Sequence, residues 1–146
     1  MAEPTIRTVR CILRHEDRFL LVMHRYTRRG RRARWGLPGG HVEARERYED
    51  TARRELREEL GVALVELREI GDYRFRGALH RVFGAEHASP ILRFRRAELL
   101  KIAWRRLDEI ALLRDRGLLH AGYEVQAVSD FLALGGRGPG PAKVRL

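Results

Sequence analysis

A chain of 146 residues, 44% hydrophobic and carrying a formal charge of +10, is long enough to bury one core and is read as a single domain. No run approaches the ~18 apolar residues of a membrane span, so no membrane partner is expected. Cys11, the one cysteine, excludes an internal disulfide and a zinc site built on thiolates, and a reducing compartment follows as the default.

The first residues, Met1-Ala2-Glu3-Pro4, lack a basic segment followed by an apolar one, so no secretory signal is read there and a cytoplasmic location is expected. Residues 8–13 and 19–24 read as two strands around the turn-like His15-Glu16-Asp17. An Arg- and Gly-rich stretch, 25–34, leads into Trp35-Gly36-Leu37-Pro38-Gly39-Gly40. The pattern then predicts a helix over 47–60, with Glu46, Glu49 and Asp50 at its positive end and Gly61 as its stop. Strand-like segments follow at 64–70, 73–75, 79–85, 91–94 and 99–104, and helical ones at 107–113 and 123–134. Residues 1–134 are read as the domain, and 135–146, with four Gly and two Pro, as a flexible C-terminal tail. Strands and helices mixed without regular alternation point to a mixed sheet packed between helices.

The 47–60 helix carries the chemistry. At roughly 100° per residue, Ala52, Leu56 and Leu60 form one apolar stripe with Tyr48, while Asp50, Arg53, Arg54 and Arg57 fall on the opposite side. Glu55 and Glu59 lie beside or within the apolar stripe, and Glu58 lies close by. A merely solvated set of acids belongs among the arginines instead. Carboxylates crowded against a core repel one another and lose hydration, which is unfavourable without a partner. A hard divalent cation is such a partner, since magnesium takes oxygen ligands from carboxylates and phosphates together.

Gly40, Glu46, Arg54, Glu55, Leu56, Glu58, Glu59, Gly61 and Val62 match every specified position of G-x5-E-x7-R-E-U-x-E-E-x-G-U, where U is aliphatic. The segment therefore resembles the box of the Nudix (MutT-like) hydrolases, and residues 35–39 resemble the usual approach to it. Arg45 departs from the pattern, standing where the family usually has Gly. The resemblance implies an α/β fold, a Nudix-type α/β/α sandwich with a mixed sheet between helices. It also implies metal-dependent hydrolysis of a nucleoside triphosphate or a nucleoside diphosphate derivative. By the same resemblance Glu55, Glu58, Glu59 and the Gly39 carbonyl hold Mg2+, or Mn2+ in its place, and Arg54 orients a box glutamate. Attack of water on a diphosphate needs the oxygens neutralised and the water made more acidic, and then a carboxylate to take its proton. Glu55, Glu59 or Glu98 is that base.

Glu98, six residues before Trp104, resembles a family glutamate that adds a ligand or serves as base; the bland reading is an exposed loop acid. Arg25 and Arg34 flank the Arg-rich loop and are candidate substrate contacts, against a solvated role. Trp35 is read as packing its loop, and none of the six histidines is assigned to catalysis. Asp108-Glu109 reads as the cap of a short helix. The Pro that marks ADP-ribose hydrolases is absent, with Gly77 and Ala78 in its place, and Leu79 and His80 replace the Tyr of dinucleoside polyphosphate hydrolases.

Of 30 basic residues 28 are Arg, whose planar fork grips phosphate oxygens in pairs. A codon preference explains the overall ratio but not the cluster of Arg25, Arg28, Arg29, Arg31, Arg32 and Arg34. That cluster keeps a second reading open, an RNA 5′-end pyrophosphohydrolase with nucleic acid as partner. A third is a non-catalytic nucleotide-binding Nudix-fold regulator, which has no need of three mutually repelling acids. The leading reading is a small-molecule nucleotide substrate, with a homodimer as an open assembly.

Overall fold

The structure, a computed structural model, describes residues 5–25, 33–64, 66–88, 90–91, 93–135 and, for the backbone, 143–145. Two long strands open the chain, β1 (Ile6–His15) and β2 (Arg18–His24), joined at the turn that His15-Glu16-Asp17 foretells, with Glu16 in the left-handed region at φ 58°. A short β3 (Gly39–His41), which no apolar run announces, pairs antiparallel with β1. Helix α1 (Tyr48–Leu60) follows, then β4 (Arg68–Phe75), β5 (Ala78–Glu86) and β6 (Leu99–Arg106). Helices α2 (Leu107–Asp115) and α3 (Glu124–Ala133) precede a last strand, β7 (Lys143–Arg145).

The sheet runs β6-β2-β1-β5-β4-β7, with β3 attached to β1. It is mixed: β1 pairs parallel with β5 and antiparallel with β2, and β7 pairs parallel with β4. Alternation along β1 divides the core. Val9, Cys11 and Leu13 pack with Leu56 and Leu60 of α1 on one side, and Ile12 packs with Ile110 of α2 and Phe131 of α3 on the other. This is the expected α/β/α sandwich.

Three sequence expectations change. The segments at 64–70 and 73–75 become the single β4, which starts at Arg68 and runs on because Gly71 and Asp72 pair with β5, after a register shift between Glu69 and Gly71. Among the described residues of 91–94 no strand forms; Ile91 packs into the core and its carbonyl accepts the Trp104 indole N–H at 2.8 Å. Most of the expected tail lies outside the described residues, but Lys143–Arg145 adds a strand, because the β4 edge offers backbone groups that need partners. The stop at Gly61 is as foreseen: at φ 67° it closes α1, its N–H reaching the carbonyls of Arg57 and Leu56. Glu109 caps α2, its Oε1 accepting the Arg106 N–H at 2.9 Å.

No helix among the described residues is long and apolar enough to cross a membrane. Cys11 is fully buried and burial pushes its thiol far up, which keeps it protonated and unreactive.

Candidate active site

An open cleft of about 790 Å3 lies where β1, β3 and α1 meet the β4–β5 turn and the loop before α3. One wall is acidic. Glu59 is buried, 2% exposed, and both its oxygens are committed. Oε1 accepts the Gly39 N–H at 2.9 Å, and Oε2 lies 2.8 Å from His24 Nε2. Gly39 makes this approach possible, since at φ 143° a side chain there would run into the Val9 carbonyl of β1. Gly40 matters for space: an added Cβ would sit 2.5 Å from the Glu55 carboxyl carbon. Gly40 thus makes room for Glu55, and Gly39 lets β3 lie close against β1.

Arg54 ties the wall together. Its Nε and Nη2 grip Glu46 at 2.7 and 3.0 Å, and its Nη1 reaches Glu55 at 3.0 Å and Glu58 at 3.2 Å. Nη2 also donates to the His41 carbonyl at 2.9 Å. The Arg54 Cα lies on the far side of the helical wheel, and its long stem lets the guanidinium fold back onto the acids. Bonded to Arg54, the Glu46 carboxyl is held down at about 2. The fully buried Thr51 gives Glu46 a further hydrogen bond at 2.7 Å.

Glu55 feels the opposite balance. Burial, then the nearby Glu59 carboxylate, push it up to about 7, against the pull of Arg54. Glu98 completes the group: one oxygen each from Glu55, Glu59 and Glu98 lies within 4.8 Å of the others. Its turn is pinned at both ends. The Arg95 N–H reaches the Glu59 carbonyl at 2.8 Å, and the Arg25 N–H reaches the Glu98 carbonyl at 2.8 Å. The Glu98 side chain is 32% exposed, and its ion pair to Arg95 is long, at 3.6 Å. Glu58 lines the cleft but stands outside this group, 40% exposed and paired with Arg54. The donor set is all carboxylate, crowded and half desolvated, and that chemistry fits a hard divalent cation.

The other wall is basic and aromatic, lined by Arg10, Arg34, Phe75, Arg76, His80 and His120. The Phe75 ring lies 5.1 Å from His80 and 5.4 Å from His120. Loss of hydration, then the charge of Arg10, holds both histidines down at about 4, so both are neutral at pH 7. His80 Nδ1 sits 2.7 Å from the Tyr123 hydroxyl.

Of the residues named from sequence, Gly39, Arg54, Glu55, Glu58, Glu59, Glu98 and Arg34 come together at the cleft. Arg25 does not line it: its Nε donates to the Arg96 carbonyl at 2.9 Å, and its backbone holds Glu98. Arg28, Arg29, Arg31 and Arg32 lie outside the described residues. Trp35 packs against the core under α2 and α3, as read. Sequence reasoning missed Arg10, His24, Phe75, His80 and His120. A signal existed for Arg10, a charge set between Val9 and the apolar run Cys11-Ile12-Leu13.

Residues 4–123 match the family profile described as NUDIX domain. A nucleoside triphosphatase NudI from Salmonella agona (strain SL483) is 42% identical over 71 residues, which are 48% of this chain and 50% of that protein. The matching segment thus spans about half the length of this curated relative. The fold is similar to a NUDIX hydrolase from Nitrosomonas europaea, with TM-score 0.72 and 25% identity over 94% of this chain and 93% of that one. It is also similar to a MutT protein from Methanosarcina mazei Go1, with TM-score 0.74 and 23% identity over 94% and 99% of the two chains.

Proposed function

Because the chain belongs to the NUDIX family, we propose that it is a metal-dependent pyrophosphohydrolase that cleaves a nucleoside triphosphate, or a nucleoside diphosphate derivative, by water attack on phosphorus. The observation that carries this reading is the convergence of Glu55, Glu59 and Glu98 on one point of the cleft, opposite a wall of cations. The nucleoside triphosphatase name of the curated relatives, matched over half their length, favours a triphosphate within that range.

Glu55, Glu59 and Glu98 would hold magnesium or manganese, with Glu58 and the Gly39 carbonyl as further donors. Such an ion, when bound, neutralises phosphate oxygens and makes water more acidic. Glu59, buried and bonded through both oxygens, is suited to fixed ligation. Glu98 is reachable by solvent and loosely paired, which suits it to take the proton of the attacking water. Arg54 fixes the Glu55 and Glu58 carboxylates and is assigned a positioning role. Arg34 and the other cations on the opposite wall attract the phosphate chain.

The test is a product-release screen with magnesium over nucleoside triphosphates, nucleoside diphosphate derivatives and 5′-triphosphorylated RNA. The expected result is fastest turnover on a free nucleotide, with cleavage at a phosphoric anhydride bond. Turnover on RNA alone would move the assignment to RNA-end hydrolysis, and binding without turnover on any member would leave a regulator.

A further inference from the structure

Arg10 belongs to no box motif, yet it lines the basic wall of the cleft. Strand alternation puts it in phase with Thr8 and Ile12, inside a strand whose other inner residues are buried. A guanidinium has five N–H donors. Arg10 reaches His24 Nε2 and the Leu37 carbonyl, both at 3.5 Å, the outer limit of hydrogen bonding. The Tyr123 hydroxyl, 2.7 Å from His80 Nδ1, also feels the Arg10 charge. Among the described residues, no carboxylate lies within ion-pair distance of it, although seven other arginines have such a partner.

The buried Glu124 carboxylate senses Arg10, but its oxygens already accept the N–H groups of Ala121 and Gly122 at 2.9 and 2.7 Å. The remaining charges on this wall, Arg34 and Arg76, are of the same sign. A half-buried cation without a counter-charge is unfavourable, and an anion bound in the cleft relieves it. His24 contacts both Arg10 and Glu59, so such an anion would lie one side chain away from the carboxylate cluster.

We propose that Arg10 is a substrate-binding residue that grips non-bridging oxygens of the phosphate chain next to the bond to be cleaved. The proposal rests on the hydrolase reading for its substrate and deepens it. The planar fork matches two phosphate oxygens, which a lysine ammonium does not.

The test compares wild type with Arg10→Gln and Arg10→Lys in two assays. Steady-state kinetics on the best nucleoside triphosphate should show KM raised at least tenfold in Arg10→Gln, with kcat changed less than fivefold. Arg10→Lys should recover only part of that loss. Calorimetry with inorganic tripolyphosphate in EDTA should show affinity weakened at least fivefold by Arg10→Gln, with the melting temperature unchanged or higher. KM and tripolyphosphate affinity both within twofold of wild type in Arg10→Gln would overturn the proposal. Should that variant not fold, wild-type values in Arg10→Lys would overturn it equally. A wild type that hydrolyses no anhydride would defeat the proposed function instead, and the tripolyphosphate assay would still decide the role of Arg10.

Discussion

The acidic wall of the cleft comes from α1, the residues just before it and the single Glu98 ahead of β6, whereas the basic wall draws on β1, the loop before β3, the β4–β5 turn and the loop before α3. On the acidic wall the acids are over-determined: Arg54 alone engages Glu46, Glu55 and Glu58, and Glu59 is bonded twice. On the basic wall, Arg10 makes only contacts at the limit of hydrogen bonding to His24 and Leu37. The difference separates two tasks. A metal site needs carboxylates held still before the ion arrives, whereas a site for the variable part of a substrate keeps donors free for it.

The largest effect should come from the acidic wall. Glu59→Gln should lower turnover at least a hundredfold, about 2.7 kcal/mol of barrier, while the variant still unfolds cooperatively. Near-normal turnover would erase the distinction between the walls. Glu98→Gln should cost at least tenfold, about 1.4 kcal/mol, with KM little changed. A rate within twofold of wild type would return Glu98 to the role of an exposed loop acid.

The walls also differ in how well the sequence announces them. Thirteen consecutive residues make α1, so spacing alone showed that Glu55 and Glu59 share a side with Ala52, Leu56 and Leu60. Gly40 and Gly61 were legible because space and left-handed backbone select glycine locally. The basic wall depends on β1 lying beside β5 and on Phe75 and His120 meeting across the fold, contacts between residues far apart in sequence. The place of the histidines was illegible for that reason: His24 and His80 line the cleft and acquire their partners only through folding. Arg54 shows the limit of the helical wheel, which places a Cα but not the tip of a long side chain.

The basic wall makes a pH prediction. His80 and His120 titrate near 4 in the fold against about 6.5 when exposed, so the folded chain binds fewer protons than the unfolded one between those values. Their contribution to stability is complete above pH 6.5 and is lost as pH falls toward 4. Glu46, held at about 2, continues the loss in more acid solution. Glu55, pushed up to about 7, contributes with the opposite sign, so the histidine share is read by difference: melting temperature should fall less steeply below pH 6.5 in His80→Asn than in wild type. A pH dependence of melting that His80→Asn leaves unchanged would show that His80 is not held neutral by the wall.

The smallest effect concerns the loop entering α1. Arg45 adopts φ 65°, the left-handed conformation that suits the Gly usual there. Relieving that strain with Arg45→Gly should stabilise the fold by about 0.5–1 kcal/mol, a rise of ~2–4 °C in melting temperature. No rise would mean that contacts of the Arg45 side chain offset the backbone strain.

The central claim is that the acidic wall acts by holding a divalent cation. Hydrolysis of the best nucleotide should be followed in magnesium, after excess EDTA, and after magnesium is returned. The account predicts loss to background with EDTA and full recovery with magnesium, while Glu59→Gln stays inactive at every step. Undiminished turnover in EDTA would contradict it.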